Sequence, residues 1–337
     1  MLAAKDALHL LLERSDLTHG QMLDIMRQIM SGALTPVQIA GILIALRMKG
    51  ETVDEIAAAA EVMRELSTKV NVTAKEHLID TCGTGGDGIQ TFNVSTVSAF
   101  VAAAAGARVA KHGGRSVSST CGSADVLEVL GVNVNMTPEQ VAHCVDEVGI
   151  GFMFAPNHHS AMKHAAPVRR ELGVRTLFNL LGPLTNPAGA KRQVMGVFDR
   201  SLTAKLARVL HRLGSEHVLV VHGADGMDEI SFSGDTYVAE LRDGQVSEYL
   251  LNPQQFGMQL HNAESIRVQN AEESKAMILS VLAGQAGPAR DIVLLNAGAA
   301  IYVAGLVSSI QEGIDAAIRV IDGQLAKTKL DQLAAQK

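Results

Sequence analysis

The first 70 residues repeat apolar positions every three to four residues, the spacing of amphipathic helices. Three helix starts are marked by a threonine followed three residues later by Gln or Glu, which is the spacing of a capping box. These pairs are Thr18 with Gln21, Thr35 with Gln38, and Thr52 with Glu55. Gly32 and Gly50 end the first two helices. The pattern predicts a small all-α N-terminal domain over residues 1–70.

The second of these helices begins with Pro36 at the favoured first helical position. Its segment 39–46 is apolar on nearly every side. A helix of this kind is buried on more than one face, which suggests packing against a second subunit.

After Val70 the pattern changes to short apolar runs that alternate with helical segments. Strands are predicted at 78–80, 108–110, 194–198 and 217–222, and helices at 95–106, 123–130, 137–148 and 201–213. A hairpin is predicted at 236–241 and 245–250, with Asp243-Gly244 as its turn. This alternation is typical of an α/β fold, with a mainly parallel central sheet and helices around it, over residues 71–337.

Composition limits the function. The net charge is -6, aromatic residues make up 3% of the chain and Trp is absent, so a nucleic-acid surface is disfavoured. Cys82, Cys121 and Cys144 have the spacing of neither a disulfide framework nor a zinc site. Charged residues interrupt the N-terminal apolar run, and no apolar stretch approaches a membrane span, so we expect a cytoplasmic protein without membrane or nucleic-acid partners.

No acidic residue occurs between Asp87 and Asp125. This window opens on a glycine loop, residues 83–88, which follows a predicted strand and formally matches G-x-G-x-x-G. The acid that should bind a ribose about 20 residues later is absent, which argues against a dinucleotide fold. No Gly-Lys dipeptide exists in the chain, which excludes a Walker A loop. The loop is therefore predicted to bind phosphate through backbone N–H groups, the alternative being a tight turn without a ligand.

Residues 111–119 combine a lysine, an arginine, glycines and serines in the same window. They predict a second phosphate-binding segment, the alternative being a solvated basic loop. A ligand with phosphate at two ends would use both segments.

Asp228 and Glu229 lie just beyond the strand 217–222. Adjacent carboxylates at a strand end can hold hydrated Mg²⁺ that is shared with substrate phosphates. When this acidic pair is considered alone, a solvated acidic turn is the better interpretation. The two predicted phosphate-binding segments make a magnesium site the better one.

A second acid-free window, residues 148–170, contains His158, His159, Lys163, His164, Arg169 and Arg170. Without a neighbouring acid or cysteine a zinc site is disfavoured, and a cationic wall for an acidic substrate fits better, with a charged surface helix as the alternative. No Ser-His-Asp or Cys-His arrangement is visible, and Cys82 is better explained by packing. No residue is predicted as nucleophile or base, so chemistry through positioning and electrostatics is expected.

The motifs together resemble anthranilate phosphoribosyltransferases of tryptophan biosynthesis over nearly the whole chain. The residues that carry the resemblance are 83–87 (Gly-Thr-Gly-Gly-Asp), 93–96 (Asn-Val-Ser-Thr), 111–113 (Lys-His-Gly), 122–125 (Gly-Ser-Ala-Asp), 178–187 (Phe-Asn-Leu-Leu-Gly-Pro-Leu-Thr-Asn-Pro) and Asp228-Glu229. The resemblance implies a helical domain completed by residues near 165–185, a large α/β domain and a homodimer joined through the helical domain.

The resemblance also implies which ligand each site residue contacts. Phosphoribosyl pyrophosphate, the donor, would contact Gly83, Gly86, Asp87, Thr91, Asn93, Val94, Ser95, Thr96, Lys111, His112, Gly113, Gly114, Arg115, Ser116, Val117, Ser118, Ser119 and Ser123. Anthranilate, the acceptor, would contact Gly83, Gly114, His159 and Arg169, and a pair of Mg²⁺ ions would be served by Ser95, Asp228 and Glu229.

The implied reaction is displacement of pyrophosphate from ribose C1 by the anthranilate amine. Many family members have Asn where this chain has Gly114, so a side-chain hydrogen bond to anthranilate is lost here and water or backbone must replace it. A pyrimidine nucleoside phosphorylase is the nearest alternative, but it needs one phosphate segment and no magnesium pair. A non-catalytic nucleic-acid-binding relative is opposed by the net charge and by the intact motifs.

Overall fold

The computed structural model describes residues 2–115 and 121–336. The helices are α1 Ala4–Leu12, α2 His19–Ser31, α3 Pro36–Lys49, α4 Val53–Leu66, α5 Val94–Ala104, α6 Ser123–Val129, α7 Pro138–His143, α8 Ala155–His158, α9 Ala166–Leu172, α10 Phe178–Leu181, α11 Leu202–Arg212, α12 Ala271–Leu282, α13 Pro288–Val303, α14 Ile310–Asp322 and α15 Leu325–Ala334. The strands are β1 Leu78–Gly83, β2 Arg108–Gly113, β3 Ile150–Phe154, β4 Arg192–Gly196, β5 His217–Gly223, β6 Thr236–Arg242 and β7 Gln245–Leu251.

The N-terminal helices begin where the sequence predicts. The side chains of Thr18, Thr35 and Thr52 each accept a hydrogen bond from the residue three positions later, and the reciprocal bond is present in all three capping boxes. Gly32 ends α2 with a φ of 75°, in the left-handed region. These local bonds satisfy N–H and C=O groups that a helix end would otherwise leave unpaired.

The seven strands form one sheet in the order β3-β2-β1-β4-β5-β6-β7. The four strand pairs from β3 to β5 are parallel, and the pairs β5–β6 and β6–β7 are antiparallel. This confirms the predicted α/β fold with a mainly parallel sheet. The carboxyl ends of β1, β2, β4 and β5 meet at one edge, where ligands bind in folds of this kind.

The sheet separates two hydrophobic cores, because alternate residues of β4 and β5 point to opposite faces. Val194 and Leu219 belong to the core formed with α5, α13 and α14. Met195 and Val218 belong to the other core, which also contains the buried residues of α1–α4, α9, α10 and α11. The core of the N-terminal helices therefore continues onto one face of the sheet.

Several elements differ from the prediction, three of them around β2 and β3. The helix predicted at 137–148 changes after α7 into a π-helix, Cys144–Val148. β3 has no predicted counterpart, and β2 continues to Gly113 because Lys111 and His112 pair with β3. Pairing with a distant strand extends an element beyond its local signal. In the described residues no helix has the length and apolar character needed to cross a membrane.

Candidate active site

The glycine loop after β1 is held from two directions. The Thr84 amide donates to the Gly196 carbonyl at the end of β4 (2.9 Å), and the Gly85 amide donates to Asp228 Oδ2 (2.9 Å). Gly85 and Gly86 have φ of 64° and 83°, a conformation that glycine adopts without steric cost. The turn thus presents backbone N–H groups at the carboxyl edge of the sheet, as an anion-binding loop does.

Two glycines let the acidic segment after β5 lie directly against the loop. A Cβ on Gly83 would be 2.8 Å from Asp228 Oδ2, and a Cβ on Gly196 would be 1.5 Å from the Asp228 carbonyl oxygen. Gly196 is not among the residues predicted from the sequence. The sequence did offer an indication of it, because a glycine inside an apolar strand often marks the close approach of another backbone segment.

The acidic pair follows β5 and lies beside the glycine loop and α5. The Ser95 amide donates to Glu229 Oε1 (3.1 Å), and the Asp228 amide donates to Asp87 Oδ2 (3.4 Å). Burial and then the neighbouring Asp87 carboxylate raise the pKa of Asp228 to about 7. Burial and then the Asp228 carboxylate raise the pKa of Glu229 to about 8. Crowded carboxylates of this kind resist ionisation until a cation joins them.

The donor set fits magnesium better than a fully enclosed metal. Across the two described ranges no three His, Cys, Asp or Glu side chains form a complete metal cage. Mg²⁺ keeps several waters and shares substrate oxygens, so a site with a few carboxylates is sufficient for it.

Lys111 lies within β2 and not in a loop. Its buried ammonium donates to the Thr81 carbonyl and to Ser95 Oγ (3.2 Å), and burial lowers its pKa despite the neighbouring Asp80 carboxylate. Lys111 thus supplies positive charge from inside the sheet, on the Ser95 side of the acidic pair.

A buried carboxylate beneath the site was not selected from the sequence. Asp80 accepts hydrogen bonds from the His112 amide (3.1 Å) and from Asn186 Nδ2 (2.7 Å). Burial raises the pKa of Asp80, which Lys111, Asn186 and His112 partly oppose. Asp80 therefore ties the end of β2 to the segment after α10. The sequence offered one indication of Asp80, an acid at the end of the apolar strand predicted at 78–80. Nothing in the sequence indicated which residue would pair with it.

Two histidine rings form a neutral pair next to β2. The ring centroids of His112 and His159 are 5.1 Å apart, and burial lowers their pKa values to about 3 and about 4. His112 Nδ1 lies 3.2 Å from the Gly182 carbonyl. Because a carbonyl only accepts, Nδ1 carries the proton and Nε2 presents a lone pair. Nε2 of each ring is buried without a hydrogen-bond partner in the described part of the chain, so both can receive a polar ligand.

Arg169 lies on α9, half-buried, with its guanidinium 5.4 Å from the centre of the Phe178 ring. Burial lowers its pKa. His158, which precedes His159 in the chain, is buried, and its Nδ1 lies 3.0 Å from the Thr68 carbonyl. This histidine therefore packs α8 against the loop between α4 and β1.

The other predicted donor residues surround the start of α5 and the end of β2. Asn93 precedes α5, Val94 and Thr96 are buried in its first turn, and Thr91 pairs with Arg267 in an isolated bridge. Thr96 Oγ1 is buried and has no partner within the described residues. The structure thus brings these residues to the same edge as the glycine loop.

The segment after β2 is described only in part. A Cβ on Gly113 would be 2.2 Å from Ser123 Oγ, whereas a Cβ on Gly114 would meet no atom within 4 Å. Arg115 is exposed and forms ion pairs with Asp125 and Glu128, both at 2.7 Å. Ser116, Val117, Ser118 and Ser119, predicted for the donor, lie outside the described residues.

Comparisons with known proteins cover the whole chain. The profile described as "Glycosyl transferase family, helical bundle domain" matches residues 5–67, and "Glycosyl transferase family, a/b domain" matches residues 75–326. The anthranilate phosphoribosyltransferase of Methylobacillus flagellatus is 68% identical over 98% of this chain and 97% of its own length.

Solved structures give the same result. The crystal structure of anthranilate phosphoribosyltransferase from Thermus thermophilus has a TM-score of 0.93 and 44% identity, covering 98% of each chain. The Saccharomyces cerevisiae enzyme in complex with PRPP and Mg has a TM-score of 0.84 and 27% identity, covering 99% of this chain and 93% of its own.

Proposed function

This chain belongs to the anthranilate phosphoribosyltransferases, and from that premise we propose how its residues perform the reaction of the family. It transfers the 5-phosphoribosyl group of phosphoribosyl pyrophosphate to the amine of anthranilate, in tryptophan biosynthesis, and releases pyrophosphate. The observation that best supports these roles is the glycine loop hydrogen-bonded to Asp228, because it joins a phosphate-binding turn to a metal-binding carboxylate.

The donor is held by the glycine loop, the start of α5 and the end of β2. Ser95 lies at the acidic pair, and Thr96 Oγ1 has no partner among the described residues, so both hydroxyls can donate hydrogen bonds to phosphate oxygens. Asp87 is a carboxylate and can donate to a phosphate only through its backbone N–H. The remaining donor residues are Gly83, Gly86, Thr91, Asn93, Val94, Lys111, His112, Gly113, Gly114, Arg115, Ser123 and the segment 116–119.

Magnesium is held by Asp228, Glu229 and Ser95 together with the phosphates of the donor, and we propose a pair of ions. The fit rests on raised carboxylate pKa values and an incomplete protein ligand set. Bound Mg²⁺ neutralises negative charge on the pyrophosphate that leaves.

Anthranilate lies against Gly83, Gly114, His159 and Arg169. To these we add His112, because its buried Nε2 has no hydrogen-bond partner in the described part of the chain. The Arg169 guanidinium suits a carboxylate, and the lone pair on His112 Nε2 suits an N–H of the amine. With a pKa of about 3, the His112 imidazole is neutral at neutral pH, with its one proton on Nδ1. An aromatic amine is already unprotonated there, so orientation of its lone pair toward ribose C1 is sufficient. The C1–oxygen bond to pyrophosphate breaks as the C1–nitrogen bond forms, and the amine then releases one proton to water or to the departing pyrophosphate.

The direct test follows anthranilate fluorescence in the presence of phosphoribosyl pyrophosphate and Mg²⁺. Consumption of the signal, with formation of pyrophosphate, supports the function. An unchanged signal under saturating substrates would reject it, and release of uracil and ribose 1-phosphate from uridine and inorganic phosphate would favour the phosphorylase alternative.

Arg169→Ala is expected to raise the KM for anthranilate about tenfold or more, because a hydrogen bond between charged groups contributes roughly 1.5–3 kcal/mol. The KM for the donor is expected to stay near that of the wild type. Arg170→Ala, at the exposed neighbouring position, is the matched control. The opposite pattern, a raised donor KM with an unchanged anthranilate KM, would place the acceptor elsewhere.

We also propose that the chain forms two domains and a homodimer. The helical domain comprises residues 1–70 and is completed by residues near 165–185, the α/β domain comprises residues 71–337, and the dimer forms through the helical domain. Val37 and Met48 are 82% and 71% exposed on α3, and Leu12 is 73% exposed on the adjacent α1. Eleven positions separate Val37 from Met48, close to three helical turns, so both occupy one stripe. Large apolar side chains on one exposed stripe are typical of an interface.

Val37→Glu combined with Met48→Glu is expected to convert the dimer into a monomer, measured by size-exclusion chromatography with light scattering. Charges buried without partners oppose association. Leu250→Glu, on the 50%-exposed site in β7, is the control and should leave the dimer intact. A wild type that is monomeric, or a double variant that stays dimeric, contradicts this interface.

A further inference from the structure

Arg175 reaches the glycine loop from the segment between α9 and α10. Its Nη2 donates a hydrogen bond to the Gly86 carbonyl, and its guanidinium lies 4.0 Å from the centre of the Phe198 ring. The residue is exposed, and among the described ion pairs it has no carboxylate partner. The motifs of the donor, acceptor and metal sites do not include it.

The bond to Gly86 controls the direction of a neighbouring donor group. A trans peptide is planar, with its C=O and N–H pointing to opposite sides. Holding the Gly86 carbonyl on Arg175 therefore directs the Asp87 N–H away from Arg175. Gly85, Gly86 and Gly88 all have positive φ and no side chain, so little else resists rotation of this peptide.

The rest of the loop is fixed by other hydrogen bonds. The Asp87 side chain accepts from the amides of Ile89 (3.1 Å) and Asp228 (3.4 Å), and these bonds do not involve the C=O or N–H of the Gly86–Asp87 peptide. Thr84 is bonded to Gly196 and accepts from the Phe198 amide (3.1 Å), and Gly85 is bonded to Asp228. Phe198 thus acts twice, through its backbone on Thr84 and through its ring on Arg175. Stacking on the Phe198 ring restricts the exposed Arg175 side chain to one orientation. A surface hydrogen bond alone would restrict it less.

We propose that Arg175 is a positioning residue for the donor loop, which orients the Gly86–Asp87 peptide so that its N–H faces phosphoribosyl pyrophosphate. The inference rests on the proposed function, in which this loop binds the donor. Arg175 acts through the loop backbone, and Phe198 acts through Arg175.

The test compares Arg175→Met with the wild type. Because a misdirected N–H removes a hydrogen bond to a charged phosphate, the KM for phosphoribosyl pyrophosphate is expected to rise about tenfold. The KM for anthranilate and kcat are expected to stay within about twofold, as for a contact made equally in the ground and transition states. Arg200→Met is the matched control, because Arg200 stacks on Tyr237 at 3.8 Å, and no change is expected.

A double-mutant cycle separates positioning from a direct contact with phosphate. Phe198→Leu keeps the backbone bond to Thr84 and should raise the same KM, and adding it to Arg175→Met should cause little further loss. Hydrogen exchange should become faster in residues 83–88 of Arg175→Met. An unchanged donor KM, or fully additive effects of the two substitutions, would overturn the inference.

Failure of the proposed function gives a different result. If the wild type does not consume anthranilate, calorimetric titration with phosphoribosyl pyrophosphate and Mg²⁺ still reports the loop. Weaker binding by Arg175→Met in that titration supports the positioning role, and equal binding by the two proteins rejects it.

Discussion

Asp228→Asn combined with Glu229→Gln is expected to lower kcat/KM at least about a thousandfold and to remove the magnesium dependence of the residual activity. Asp228 lies at the glycine loop and Glu229 at the α5 N-terminus. Without them the cation loses the two carboxylates proposed to fix it against the leaving pyrophosphate, and among the described residues only Asp87 remains nearby. Steady-state rates at increasing Mg²⁺ concentration test this.

Asp243→Asn removes one negative charge at the exposed hairpin turn and serves as the control. Its rates should match those of the wild type. A double variant whose rate still rises with Mg²⁺ as the wild type does would show that the metal is held elsewhere.

The same double variant is expected to change the stability of the metal-free protein with pH. The pKa values of Asp228 and Glu229 are raised from 3.8 and 4.5 to about 7 and about 8. A carboxyl whose pKa is raised by folding stabilises the protein most below its unfolded pKa, and this contribution is lost as pH rises through the folded pKa. Between pH 5 and pH 9 the Tm of the metal-free wild type should therefore fall more than that of the double variant. Parallel Tm curves would contradict the raised pKa values.

Gly196→Ala is the second substitution with a large expected effect. Its Cβ would lie 1.5 Å from the Asp228 carbonyl oxygen and 2.4 Å from the carbonyl carbon, both backbone atoms. The segment that carries the acidic pair must move, and a displacement of about 1 Å at a catalytic group costs on the order of a hundredfold in rate. We expect kcat/KM to fall at least that far, together with a lower Tm.

Gly182→Ala is the matched control for that substitution. Gly182 lies beside the same site, has helical φ and ψ of -49° and -58°, and a Cβ there would meet no atom within 4 Å. Its activity should stay within about twofold of the wild type, since no backbone has to move. A Gly196→Ala enzyme with normal rates would mean that the loop and the acidic segment move together without loss.

What the sequence predicted correctly depends on local signals. The capping boxes at Thr18, Thr35 and Thr52 involve residues three positions apart, and each is present. The mainly parallel sheet followed from the alternation of short apolar runs with helical segments, which is also a local property.

What it did not predict depends on distant pairs. Asn186 bonds Asp80 across 106 positions and Arg175 bonds Gly86 across 89 positions. The close approach of Gly196 to Asp228 arises only when β4 and β5 pair in register. Amphipathic periodicity carries no information about which distant residue completes a buried bond, so these contacts required the fold.

The sheet that separates the two hydrophobic cores also couples their stability. Met195 and Val218 are backed by Val194 and Leu219 on the same strands, so neither core can be exposed without disturbing strands that the other core needs. Heating should therefore melt the helical bundle and the α/β layers in one cooperative transition. A fragment without the first 70 residues would expose the apolar surfaces of α10 and α11 that pack against α4, and should aggregate, whatever the boundary between the two sequence profiles suggests.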